Sequence, residues 1–229
     1  MNDSTRSRVL VWDWPVRAFH WCFALLFALA YALGDSERWR NIHVALGYGV
    51  LALIAFRILW GLVGTRPARF ADFVRGPGAV WRYLAGLARG RPSEHSGHNP
   101  AGGWAIVALL GLGAATGISG WLRYQELGGE GMEDMHEWLA GAWLGLVALH
   151  IGAVVLSSVL HRENLALAML TGRKRGLPSE GARRPYALVA IGRVAAVGLV
   201  VGWTAGANPA GVAADAPLVV APAVRKDED

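Results

Sequence analysis

Cysteine is almost absent from this sequence, since Cys22 is the only one among 229 residues. A single cysteine cannot form an intramolecular disulfide, and it excludes every motif that needs two neighbouring thiols. Because Cys22 lies inside an apolar run, we expect it to act as a small apolar filler. The fold must therefore be held by packing and hydrogen bonds rather than by covalent cross-links.

Charged residues are also scarce, at 17% of the chain against 54% hydrophobic residues. An average soluble domain is about a quarter charged. Apolar runs approach the roughly 20 residues that cross the hydrocarbon core of a bilayer. Five such runs are found, at residues 19–34, 43–64, 104–122, 137–160 and 186–205. The pattern predicts an all-α integral membrane protein with a single membrane domain, in which the first run spans only if it extends back to Val16.

The formal net charge of +5 comes from cations that cluster in alternate connections between these runs. Arginine and lysine crowd the segments before the first run, between the second and third, and between the fourth and fifth. The intervening connections hold few cations beside many acids. Cytoplasmic loops carry this excess of positive charge. We therefore expect a cytoplasmic N-terminus and a C-terminus on the opposite side. No motif supports nucleic-acid binding.

The connections have distinct characters. The short one at residues 35–42 predicts an antiparallel hairpin of the first two spans. The long one at 65–103 contains helical apolar spacing near 79–89, which predicts a short interfacial helix on the cytoplasmic face. His98 and Asn99 are expected to cap or position the third span. The tail at 206–229 has no periodicity and is predicted to be disordered.

Four histidines are placed inside or at the ends of the apolar runs, where an ionisable group is costly and therefore indicates function. His136 and His150 are 14 residues apart, which on a helix brings them to nearly the same face with a separation of about 21 Å. His20 lies near the cytoplasmic start of the first span, and His43 opens the second span from the outside. The histidines thus pair by depth, His20 with His150 and His43 with His136. Taken singly, His20 or His43 could equally be a packed residue bonded to a carbonyl.

Paired imidazoles that face each other across a helical bundle are suited to hold a b-type haem between them. A zinc site would need about four donors converging on one ion, which two depths separated by about 20 Å cannot supply. The pattern therefore predicts two haems rather than one metal ion, with four histidines as axial ligands. We expect the histidine Nδ1 groups to donate to backbone carbonyls or water.

Three further residues fit this prediction. Arg57 lies 14 residues after His43, at the predicted depth of the His20–His150 pair, and its guanidinium could bind a haem propionate in bidentate fashion. The alternative for Arg57 is snorkelling to the cytoplasmic surface. Arg17, one turn before His20, could bind a propionate at the interface. Gly47, one turn after His43, would leave room for a flat macrocycle.

The chain resembles the bacterial cytochrome b-561 and NiFe-hydrogenase b-type cytochrome family over roughly residues 9–175. The matching stretches are VWDWPVRAFHW, HVALGYGVLALIAFRILWGLVG, GHNPAGGW, HEWLAGAWLGLVALH and HRENLALAMLTGRKR. The resemblance implies a four-helix transmembrane haem-binding bundle, here within residues 1–175, with two haem b groups. It points to the same four histidines as ligands. The span at 186–205 is an additional fifth C-terminal transmembrane helix outside this resemblance.

We therefore predict a multi-pass bacterial inner-membrane cytochrome that contacts lipid and transfers electrons between the quinone pool and a redox protein. The resemblance leaves open whether that partner is a periplasmic c-type cytochrome or a hydrogenase-like reductase. Any catalysis would be quinol oxidation or quinone reduction near one haem edge. Two alternatives remain: a transporter that uses the histidines and Arg57 as a proton or metal pathway, and a haem-free membrane anchor.

Overall fold

The computed structural model describes residues 7–90, 97–176, 181–182 and 184–206, and residues 207–229 of the predicted disordered tail lie outside the described residues. His95 also lies outside them. Helices dominate, and five are long and apolar enough to cross a membrane. This confirms the prediction of an all-α membrane fold with five candidate spans.

The five long helices follow the predicted runs closely. They are α1 (Trp14–Ala32), α2 (Arg40–Val63), α5 (Pro100–Tyr124), α6 (Met132–Leu160) and α8 (Ala187–Gly206). A 3-10 turn at Glu37–Trp39 precedes α2. The first helix starts earlier than the apolar run because Asp13 caps it and Pro15 occupies its first turn. It is therefore 19 residues long, close to the length that a span needs.

Short elements gather around the connections. They are a 3-10 turn at Arg66–Ala68, the helices α3 (Phe70–Phe73), α4 (Pro77–Ala88) and α7 (Leu165–Thr171), and the strands β1 (Ser7–Leu10) and β2 (Arg173–Gly176). The two strands pair antiparallel, with Ser7 opposite Gly176 and Leu10 opposite Arg173. The basic segment after α7 therefore does not act only as a connection. It pairs through backbone hydrogen bonds with the residues before α1.

The interfacial helix predicted near 79–89 corresponds to α4. Its Tyr83 is buried against the protein, whereas Trp81 is 74% exposed and Leu84 is also exposed. An exposed tryptophan beside an exposed leucine suits a helix that lies at a membrane surface. The helix exists where the periodicity predicts it, and its position at the cytoplasmic face stays a prediction.

Helix α2 lies at the centre of the bundle and packs against α1, α5 and α8. The apolar core between these helices contains Phe19, Leu46, Val50 and Leu53. Helix α6 packs along α5 and approaches α1 and α2 less closely over the described residues. A slot is therefore left between α6 on one side and α1 and α2 on the other.

Asp13 joins the start of α1 to the end of α2. Its carboxylate is fully buried and accepts hydrogen bonds from the Val16 backbone N–H at 2.9 Å, Trp60 Nε1 at 3.1 Å and Thr65 Oγ1 at 2.7 Å. These donors come from α1, from α2 and from Thr65 just after α2. Together they fix the position of the start of α1 along α2.

We expect Asp13→Ala to lower the free energy of unfolding by about 3 kcal/mol, because the helix loses its cap and two buried donors lose their acceptor. The thermal midpoint of the purified protein in detergent measures the effect. Asp35→Ala is the control, since Asp35 is an exposed acid in the connection between α1 and α2. Equal melting of the two variants would contradict the role assigned to Asp13.

Candidate functional site

The first pair of histidines, the His43 layer, consists of His43 at the start of α2 and His136 at the start of α6. Their ring centroids are 6.1 Å apart, and the ring planes are at 88° to each other. Nδ1 of His43 lies 2.8 Å from the carbonyl oxygen of Ala30, and Nδ1 of His136 lies 3.0 Å from that of Thr116. With Nδ1–H donating to a carbonyl, each ring keeps the lone pair of Nε2 for a metal ion.

The separation of these rings fits one metal ion between them. Metal–imidazole bonds are about 2.0–2.1 Å long and a ring nitrogen lies ~1.1 Å from the ring centre, so two imidazoles on one ion have centres about 6 Å apart. Among the described residues, no group of three or more His, Cys, Asp or Glu side chains could hold a metal ion. The donor set is therefore a pair, which requires that a further group supply the remaining ligands.

Small residues surround this pair. A cavity in this layer is lined by His43, Gly47, Tyr48, Gly117, Gly120 and His136. A Cβ atom added at Gly47 would meet no atom within 4 Å, whereas one at Gly120 would lie 2.8 Å from Cε1 of His136. Gly120 thus lets the imidazole lie against the backbone of α5, and Gly47 faces open space, as a flat ligand requires.

The second pair, the His20 layer, consists of His20 on α1 and His150 on α6, with Arg57 of α2 at the same end. His20 and His150 lie on α1 and α6 in the same region of the bundle, without the direct ring contact that His43 and His136 make. The His20 ring makes an edge contact with Trp21, at 4.9 Å between centroids. Nδ1 of His20 is buried and has no hydrogen-bond partner within the described part of the chain. This ring therefore differs from the expectation that every Nδ1 donates to a carbonyl or water.

Arg57 is held inside the bundle rather than at its surface. Its residue is 2% exposed, and its guanidinium lies 4.9 Å from the ring centroid of Phe70 and 5.7 Å from that of Phe73. Phe70 can fold back this far because it packs directly on Gly61, where a Cβ atom would collide with its ring. Nη1 of Arg57 is buried without a hydrogen-bond partner among the described residues. A buried guanidinium of this kind suits an anionic ligand rather than snorkelling.

Arg17 is placed differently. Its guanidinium donates to the carbonyl oxygen of Leu170 in α7 and lies 4.2 Å from the ring centroid of Trp14. These contacts occupy one side of the group, and its buried Nε has no partner in the described chain. The structure therefore places Arg17 at the edge of the bundle, one turn before His20, where its role towards a propionate stays a prediction.

Trp143 separates the two layers. It lies seven residues from both His136 and His150 and is the only buried residue of α6. Its ring contacts Phe27 at 4.6 Å and Phe23 at 5.6 Å, both edge-on. This aromatic cluster bridges α6 to α1 halfway between the histidine pairs.

Arg193 is a further buried cation, and it belongs to the fifth helix. It is 6% exposed, and its guanidinium lies 4.6 Å from the ring centroid of Phe56 and 6.0 Å from that of Phe19. Its three side-chain nitrogens have no hydrogen-bond partner among the described residues. The sequence indicates this cation only as an arginine inside an apolar run.

Facing imidazoles inside a multi-pass helical bundle are the arrangement of a membrane b-type cytochrome, since two histidines complete the coordination of a haem iron. The comparisons agree with this class. The family model for prokaryotic cytochrome b561 matches residues 11–172. The chain therefore belongs to the prokaryotic cytochrome b561 family, whose members are membrane b-type cytochromes that transfer electrons.

One relative is a Rhodobacter capsulatus protein named as a probable Ni/Fe-hydrogenase B-type cytochrome subunit. It is 26% identical over 215 residues, an alignment that covers 74% of this chain and 82% of the relative. No solved structure matches the chain. The matched family residues include α1, α2, α5 and α6 and end before α8, so the fifth helix lies outside the family match.

We expect Gly120→Ala to weaken haem binding by about tenfold, because the new methyl group displaces His136, and changes beside a metal ligand cost this much. Titration of haem into the haem-depleted protein measures the affinity. Gly111→Ala is the matched control, since it lies on the same helix and its Cβ atom would meet nothing within 4 Å. Equal haem affinity in both variants would show that His136 does not depend on this close approach.

Proposed function

We propose that this protein is a dihaem cytochrome that carries electrons across the membrane, between quinone and a redox partner protein. His43 and His136 hold one haem b, and His20 and His150 hold the other. The observation that carries the proposal is the facing pair His43–His136, whose ring centroids are 6.1 Å apart. His150, the α6 member of the second pair, follows His136 by 14 residues. That interval corresponds to about 21 Å of helix rise.

The positions of the cations support the second haem site. A haem b carries two propionate carboxylates, and the buried guanidinium of Arg57 lies in the His20 layer with an unpaired nitrogen. An arginine pairs well with a carboxylate, through two parallel hydrogen bonds. Without an anion beside it, a charged group at this depth would be costly.

Two histidines on each iron favour electron transfer over chemistry at the metal. When bound, haem supplies a one-electron couple between ferric and ferrous iron. With two histidines holding each iron, no coordination position would remain for oxygen or another small molecule. The protein contributes the spacing of the two layers, and Trp143 excludes lipid and water between them.

The reactants are inferred from the location and from the relative. The histidine layers lie in membrane-spanning helices, so a lipid-soluble quinone can approach one haem edge from the bilayer. The name of the Rhodobacter capsulatus relative associates that protein with a hydrogenase. By analogy, the second reactant here is a redox protein at the membrane, either hydrogenase-like or a c-type cytochrome. The distribution of cations supports a cytoplasmic N-terminus.

We expect the wild-type protein to bind two haems per chain and each single histidine variant to bind one. His20→Ala and His150→Ala should lose the same haem, and His43→Ala and His136→Ala the other. Pyridine haemochrome absorbance per protein gives the number of bound haems, and the reduced-minus-oxidised spectrum shows which haem is lost. A colourless wild-type protein would exclude the proposal and favour a transporter or an anchor.

His161→Ala is the control for these variants. His161 lies at the end of α6, on nearly the same face as His150, and its Nδ1 is 2.9 Å from the carbonyl oxygen of Ser157. This variant should keep both haems. Loss of a haem after this change, with retention after His150→Ala, would overturn the assigned pairs.

Electron transfer through the two layers in series gives a separate expectation. A soluble quinol should reduce an external acceptor through the wild-type protein in detergent, and removal of either layer should reduce this turnover to background. The haem that remains should still be reducible by dithionite, which shows that the site itself is intact. Unchanged turnover after loss of one layer would mean that the haems do not act in series.

A further inference from the structure

The segment before α5 places His98 beside the His20 layer, and capping does not explain it. Asn99 is the residue that caps α5, because its Oδ1 accepts the backbone N–H of Gly102 at 2.7 Å. The expectation that His98 shares in capping is therefore replaced by a different contact set. The His98 ring points back towards the start of α1 and the end of α2.

Two aromatic rings clamp the imidazole. Its centroid lies 4.4 Å from that of Trp12, at an interplanar angle of 53°, and 4.6 Å from that of Phe73, at 47°. The three rings come from three separate segments of the chain. This packing fixes the plane of the His98 ring and the direction of its nitrogens.

Both walls of this clamp are themselves fixed by close backbone contacts. Gly172, at φ +79°, lies so near the Trp12 carbonyl that an added Cβ atom would be 2.6 Å from its oxygen. At Gly103, an added Cβ atom would be 2.7 Å from the carbonyl oxygen of Phe73. A left-handed conformation and two close approaches are features that glycine allows. The orientation of His98 is therefore set by the fold rather than by its own side-chain preferences.

The neighbours of His98 are the residues of the His20 layer. The charged and titratable groups nearest to it are Arg57, Lys174, His150 and His20. Phe73 lies between His98 and Arg57 and contacts both of them. His98 is not a third donor to a shared metal ion, because no three potential ligands converge among the described residues.

Besides Nδ1 of His20, Nδ1 of His98 and Nη1 of Arg57 are buried in this region without a hydrogen-bond partner in the described chain. Burial, together with the positive charge of Arg57, lowers the pKa of His98 well below its ordinary value, so the ring is neutral. A neutral imidazole offers one N–H donor without adding positive charge beside an arginine. Buried donors need acceptors, and the acceptor that both groups suit is a carboxylate.

We propose that His98, through Nδ1–H, and Arg57 together bind a propionate carboxylate of the haem held in the His20 layer. The proposal rests on the dihaem function proposed above. It assigns to the loop before α5 a specific role, which is to fix the propionate and to set the reduction potential of one haem.

Two opposite substitutions separate this role from packing. His98→Phe keeps a ring between Trp12 and Phe73 and removes the donor, whereas His98→Asn shortens the side chain but keeps an N–H near the position of Nδ1. Redox titration of the two haems measures the effect, and the His43→Ala background assigns it to one haem. Resonance Raman spectra of the propionate bending mode give an independent readout.

We expect His98→Phe to lower the potential of the His20-layer haem, because an unpaired propionate favours ferric iron. At a fixed ambient potential, the reduced-to-oxidised ratio should fall by roughly threefold to tenfold, tenfold being about 59 mV for one electron. The propionate mode should shift with it. His98→Asn should stay near wild type, and the His43-layer haem should not change in either variant.

Several outcomes would overturn the proposal while leaving the dihaem function intact. His98→Phe with a wild-type potential and His98→Asn with an altered one would make His98 a packing residue. Loss of a whole haem in both variants would make it an axial ligand. If wild-type protein does not bind two haems, the proposed function fails first, and the haem:protein ratio reports this before any variant is compared.

Discussion

The buried carboxylate of Asp13 is the constraint on which the arrangement of the site depends. It joins the first turn of α1 to Trp60 and Thr65 at the end of α2. His20 follows Asp13 by seven residues, and Arg57 precedes Thr65 by eight, so each lies about two helical turns from this carboxylate. The hydrogen bonds to Asp13 therefore bring His20 and Arg57 to a similar level. A different alignment of α1 along α2 would separate the proposed iron ligand His20 from this cation.

Helix α6 lies opposite α1 and α2, and its sequence places one histidine at each of two depths. The 14-residue interval between His136 and His150 keeps both imidazoles on nearly one face, and Trp143 between them contacts Phe23 and Phe27 of α1. Helix α6 packs closely on α5 and less closely on α1 and α2, and a cavity opens beside His43 and His136. The aromatic cluster joins α6 to α1 at the middle of this slot.

Helical periodicity, apolar length and histidine spacing predicted the five long helices and the approach of His43 to His136, because these features depend on local geometry along each helix. Other features could not be predicted, because they depend on contacts between distant short segments. The β1–β2 pair joins two four-residue strands that lie far apart in the sequence. The only sequence feature that accompanies the packing of Phe70 over Arg57 is Gly61. His98 and Asn99 were predicted together to cap or position the third span, and Asn99 is the residue that caps it. Only the three-dimensional contacts of His98 with Trp12 and Phe73 distinguish the two residues.

The fifth helix extends the same electrostatic arrangement beyond the family match. Asp13, Arg57 and Arg193 are buried charged residues on or beside three different helices, and no ion pair joins the carboxylate to either guanidinium among the described residues. These three groups carry a net charge of +1, and a buried excess charge is costly unless an anion offsets it. A haem with two propionates, bound in the His20 layer as proposed, supplies negative charge on the side of Arg57. In the proposed function, haem binding would therefore offset part of this buried positive charge, which would couple haem binding to the stability of the protein.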